Sequence, residues 1–128
     1  MSTVPQNPEA LRSALRADLV TAMKARQAEA VSALRTALAA LDNAEAVAPP
    51  TSPPGMVVTS EHFAGSAAGL GATEAVRRVL SLDDMYDILR AQVAERDSEA
   101  ECYESLGQSA AAGRLRREVD ALRGYLPG

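Results

Sequence analysis

The sequence predicts an all-α fold in which two helical hairpins, over about 8–25, 28–46, 82–106 and 110–123, are joined by a long Pro/Gly-rich loop. Three observations carry this. Apolar residues recur at spacings of three and four in four separate stretches. Helix start signals stand at Asn7-Pro8-Glu9 and at Ser81 with Asp84, and Pro and Gly concentrate between Ala48 and Thr73.

The first element follows an expected disordered start over residues 1–7. Asn7 is suited to cap a helix, Pro8 to its first position and Glu9 to its first turn. Leu11, Leu15, Leu19 and Met23 then recur every four residues, with Ala14 and Ala22 beside them. The second stripe is Val31, Leu34, Leu38 and Leu41. Counting on by fours from Met23 reaches Gln27, Val31, Arg35 and Ala39, so the two stripes lose phase near Gln27. That favours a turn at residues 25–28 over one continuous helix.

Residues 48–80 form a loop arm. Pro49-Pro50, Pro53-Pro54-Gly55, Gly65, Gly69 and Gly71 supply its loop chemistry, and its length exceeds what compact domains ordinarily tolerate. Residues 73–80 are open between a short helix and an extended connector. Beyond them, Ser81 and Asp84 form a capping box with Asp in place of Glu, and Asp83, Asp84 and Asp87 suit the positive end of a helix. The third stripe is Leu82, Met85, Leu89, Val93, Arg96, Ala100 and Tyr103, stopped by Leu106-Gly107. A last helix after Ser109 carries Leu115, Val119, Leu122 and Leu126, and the short link makes the pair antiparallel. Residues 8–127 are thus expected to form a single helical domain.

Among 128 residues there are one Phe, three Tyr and no Trp, so Leu, Val, Met and Ala must fill the core. No apolar run is long enough to span a bilayer, and the first residues lack the pattern of a signal peptide. A single cysteine, Cys102, excludes an internal disulfide; a cytoplasmic location is expected. The net charge of -4 is unevenly spread. Residues 1–47 carry five basic and five acidic groups, whereas residues 81–128 carry six basic against ten acidic. The acidic third helix repels phosphate backbones.

Catalytic chemistry finds no foothold in the pattern. Gly65, Gly69 and Gly71 lack the strand, the Lys and the spacing of a phosphate loop. One His and one Cys do not make a zinc site. A nucleophilic pair of His62 and Cys102 lacks a third group, and Glu99, Glu101 and Glu104 work against a thiolate. No catalytic, cofactor-binding or metal-ligating residue is expected, and no cofactor.

Two charged groupings remain. Arg96 interrupts an apolar stripe, and Glu118 stands about as far beyond the 107–109 turn as Arg96 stands before it. An ion pair between the helices is one reading; the other is an arginine stem laid on the core with its head in water. Arg12, Arg16, Lys24 and Arg26, with Arg77 and Arg78 at the end of the loop, are either a solvated surface or candidate RNA-backbone contacts. Arg114, Arg116 and Arg117 are partly balanced by Glu118 and Asp120.

Taken in order, several segments resemble one family. They are Leu15-Arg16-Ala17-Asp18-Leu19 with Ala22-Met23-Lys24-Ala25-Arg26, Ala33-Leu34-Arg35-Thr36-Ala37-Leu38, Asn43-Ala44-Glu45-Ala46, Gly71-Ala72-Thr73-Glu74 with Arg77-Arg78, Val93-Ala94-Glu95-Arg96, and Leu115-Arg116-Arg117-Glu118 with Tyr125-Leu126-Pro127. Together they look like the GatB/YqeY family over most of residues 8–127. The loop is similar to the connector of high-GC bacterial members, in keeping with 12 Arg against one Lys.

The resemblance implies an all-helical domain that also occurs as the C-terminal appendage of the B subunit of the tRNA-dependent amidotransferase. That enzyme is a carbon–nitrogen ligase with glutamine as amido-N-donor, an activity seated in its other domains. Family members usually place Asp in the turn where this chain has Gln27, and they continue past Tyr-Leu-Pro into a helical tail that holds tRNA. The resemblance therefore implies a non-catalytic accessory or interaction protein, expected to meet a protein partner or a second copy ahead of RNA. The alternative is a weak tRNA-binding adaptor using the first hairpin and Arg77-Arg78. Neither membrane nor DNA is expected.

Overall fold

The computed structural model describes residues 5–46 and 78–127, and among them there are four α-helices and no strand. They are α1 (Pro8–Lys24), α2 (Ala28–Glu45), α3 (Leu82–Ser105) and α4 (Ser109–Arg123). The two hairpins of the sequence are present. The described residues fall into two compact units, residues 5–41 with 80–127, and residues 42–46 with 78–79. In the second unit the Arg78 backbone N–H donates to the Glu45 carbonyl at 2.9 Å. The remainder of the loop, including the expectations for residues 48–77, lies outside the described residues.

Local chemistry sets the helix starts. Asn7 accepts from the Ala10 backbone N–H through its side chain at 2.8 Å, and Pro8 occupies a position where no N–H is needed. Residues 5–7 are therefore tied down rather than loose: the Tyr86 hydroxyl also donates to the Pro5 carbonyl at 3.3 Å. The capping box is complete, with Asp84 N–H to Ser81 Oγ and Ser81 N–H to Asp84 Oδ2, each at 3.0 Å. The last helix begins at Ser109, one residue earlier than expected, after Gln108, which makes no side-chain cap.

The core of the first unit holds Leu11, Leu15, Ala33, Leu34, Ala37, Leu41, Met85, Leu89, Val119 and Leu122, with Leu80 buried at the entry to α3. In α1 the buried face departs from the expected stripe. Leu19 is half-buried and Met23 is 47 % exposed, while Ala22 is buried. Each step of four residues advances about 40° around an α-helix, so Met23 lies about 120° from Leu11 whereas Ala22 lies within about 20°. Among the described helices, α3 and α4 make the most extensive contact. Ala100 and Ala112, both fully buried, are small enough to permit it.

In α3 the buried face is Met85, Tyr86, Leu89, Val93, Arg96 and Ala100. Tyr103, expected inside, is 37 % exposed.

Candidate functional site

An open groove of about 710 Å³ lies at the corner between α1 and α2, lined by Met23, Arg26, Ala28, Val31, Ser32, Arg35 and Thr36. The corner is built by a Schellman motif. The Gln27 N–H donates to the Ala22 carbonyl at 2.9 Å and the Arg26 N–H to the Met23 carbonyl at 3.2 Å. The residue between them in the motif must take a left-handed conformation, and here it is Arg26 at φ 59°. A non-glycine residue there is strained, and in this chain the strained residue carries a guanidinium into the groove.

Arg35 enters from α2, its Nη2 lying 4.0 Å from Met23 Sδ. Neither Arg26 nor Arg35 meets a carboxylate among the described residues. The nearest acid in the chain, Glu29, is engaged elsewhere. It pairs with Arg117 of α4 at 3.4 Å. Its carboxyl is held below the ordinary range, first by a hydrogen bond from its own backbone amide at the start of α2 and further by Arg117, against an opposing desolvation penalty. The groove thus keeps two cations without a carboxylate partner among the described residues, Arg26 just before the positive end of α2 and Arg35 about two turns along it.

Met23 and Val31 give the groove an apolar wall. Thr36 Oγ1 donates to the Ser32 carbonyl at 2.7 Å, leaving the Ser32 hydroxyl as a polar group on the rim. Guanidinium, hydroxyl and thioether groups bind anionic and apolar surfaces. None of them takes or gives a proton near neutrality.

Of the six basic residues singled out in the sequence, the groove takes only Arg26. Lys24 and Arg16 are exposed on α1, and Arg12 is half-buried and engaged by a partner. Arg78 is exposed and belongs to the second unit, and Arg77 lies outside the described residues. Sequence reasoning passed over Arg35. The available signal was that Arg35 has no acid three or four residues away in either direction, so its helix offers no partner.

The structure brings Arg96 and Glu118 together between α3 and α4. Arg96 Nε donates to Glu118 Oε1 at 2.7 Å, and its Nη1 donates to the Gln92 side chain at 2.9 Å and the Gln92 carbonyl at 3.2 Å. The pair is largely buried, with side chains 9 % and 16 % exposed. No buried side-chain nitrogen or oxygen among the described residues is left without a partner, and the pair ties α3 to α4. Among the described residues no three His, Cys, Asp or Glu side chains converge as metal ligands, and no helix is long and apolar enough to cross a membrane.

No protein-family model, no curated protein and no solved structure matches the chain.

Proposed function

We propose that this chain is a non-catalytic accessory protein that binds a protein partner, and that the α1–α2 corner receives an acidic, partly apolar segment of that partner. The observation that carries the reading is the meeting of Arg26 and Arg35 with the apolar wall of Met23 and Val31 in one open groove. A phosphate backbone would use the two arginines and leave the apolar wall unused, and the net charge of -4 works against a polyanion. An acidic segment with an apolar side chain uses both. The strain at Arg26 supports the same reading, because a residue better suited to the turn would remove the cation.

The likeness of the residue segments to the GatB/YqeY family directs the search for the partner to tRNA-dependent amidotransfer, the glutamine-dependent carbon–nitrogen ligase reaction, or to other tRNA metabolism. The chain would serve such a system as an adaptor.

The test compares wild type with an Arg26→Glu/Arg35→Glu variant as baits in a quantitative pull-down, alongside a titration with purified tRNA. A protein held in stoichiometric amounts by wild type and lost with the variant is the expected result. Equal recovery on both baits overturns the groove. Salt-sensitive tRNA binding that the variant abolishes overturns the protein partner in favour of the RNA alternative, Arg12, Arg16, Lys24 and Arg78 being the further contacts to probe.

A further inference from the structure

The link between α3 and α4 carries the complement of the groove. Leu106 is 64 % exposed there and Tyr103 is 37 % exposed. Glu95 and Glu99, one turn apart on the same side of α3 as Tyr103 and Leu106, stand exposed and meet no cation among the described residues. The last turn of α3 contains no basic residue. Glu101 and Glu104 therefore add their charge to the negative end of the helix dipole, an arrangement that opposes helix stability. Only Glu104 is offset, by Arg116 at 3.3 Å. Acids and exposed apolar side chains at a helix end that would be steadier without them are the marks of a contact surface.

The groove is the mirror of this pattern in charge and its match in polarity. Arg26 stands just before α2 and Arg35 about two turns along it, and Met23 and Val31 form the apolar wall. We infer that the occupant of the α1–α2 groove is the end of α3 and the α3–α4 link of a second copy of this chain, with Leu106 and Tyr103 against Met23 and Val31 and with Glu95 and Glu99 opposite Arg26 and Arg35. The inference rests on the groove reading proposed above and names its occupant. Within one copy, Ser109 at the link stands a rise of about 12 Å along α4 from Arg117, the residue tied to Glu29 beside the groove. A second copy bridges that separation where a rigid single copy does not. A twofold axis satisfies both contacts at once and closes a dimer; any other operator continues head to tail.

Sedimentation equilibrium of the full chain tests this. Wild type is expected to associate at low ionic strength and to weaken in high salt. Arg26→Glu/Arg35→Glu and Glu95→Arg/Glu99→Arg are each expected to weaken association by about tenfold or more, and an equimolar mixture of the two variants to recover it. Leu106→Ser is expected to weaken it as well, with helix content by circular dichroism unchanged. A wild type that stays monomeric at every concentration overturns the inference, as does association indifferent to all three variants or a mixture that fails to recover. A monomeric wild type that still holds a groove-dependent protein in the bait comparison overturns this occupant alone; one that holds none overturns the groove reading with it.

Discussion

Arg26 and Gly107 occupy the same position in two helix ends wired in the same way. At the end of α1, Gln27 N–H reaches the Ala22 carbonyl and Arg26 N–H the Met23 carbonyl; at the end of α3, Gln108 N–H reaches the Tyr103 carbonyl and Gly107 N–H the Glu104 carbonyl. Both central residues are left-handed, at φ 59° and φ 77°. Glycine adopts that conformation freely and arginine does not. One corner is therefore built at low cost and the other is built to carry a cation.

Exchanging the two chemistries measures the difference. Arg26→Gly is expected to raise stability by about 1 kcal/mol in a denaturant titration, and Gly107→Ala to lower it by about the same amount. A Cβ on Gly107 meets no atom within 4 Å, so its cost is conformational alone. An Arg26→Gly variant no more stable than wild type would remove the argument from strain to function.

Local signals made the helix boundaries legible, whereas the buried faces and the groove needed the third dimension. Asn7, Pro8, Ser81, Asp84 and Gly107 act within four residues of themselves, so their pattern in the chain is their chemistry in the fold. The contact of Arg96 with Glu118 was within reach because a short antiparallel link places residues at equal chain distances side by side. Counting by fours misplaced Met23, since the step drifts around the helix, whereas Ala22, set beside that stripe in the sequence, is buried. Tyr86 was missed for another reason: it lies beside the apolar stripe, and the partner of its hydroxyl, the Pro5 carbonyl, is 81 residues away in the chain. The groove depends on the left-handed turn at Arg26, and no propensity places arginine there.

The Arg96–Glu118 pair gives a second expectation. Both groups are largely out of water, so removing one partner strands the other. Glu118→Gln is expected to cost about 2 kcal/mol by denaturant midpoint, and replacing both together, Arg96→Met with Glu118→Leu, to stay within about 1 kcal/mol of wild type. An unchanged midpoint for Glu118→Gln would show that Arg96 is held by Gln92 alone.

Tyr125 fastens the segment after α4 to α1, because its hydroxyl donates to Asp18 Oδ2. Its ionisation is pushed well above the ordinary tyrosine value, first by burial and then by the hydrogen bond and charge of Asp18. The neutral phenol is the form that the fold favours, so the contribution is complete below about pH 10 and is lost as the pH rises beyond it. Wild type is expected to lose stability relative to Tyr125→Phe as the pH is raised above about 10. Parallel alkaline profiles for the two proteins would show that the phenol is not held by this contact.

Glu29 predicts the opposite limb. Its carboxyl titrates below the ordinary value of 4.5, held there first by its own backbone amide and then by Arg117. A carboxyl with a depressed folded value stabilises the fold above its unfolded value, and the contribution fades as the pH falls through the folded one. Acid titration of wild type against Glu29→Gln is therefore expected to show a stability difference near neutrality that narrows below about pH 4.5. The same substitution releases Arg117 without adding a charge to the groove. Binding at Arg26 and Arg35 should persist in Glu29→Gln, whereas a partner lost with this variant would place the contact on Arg117 and α4.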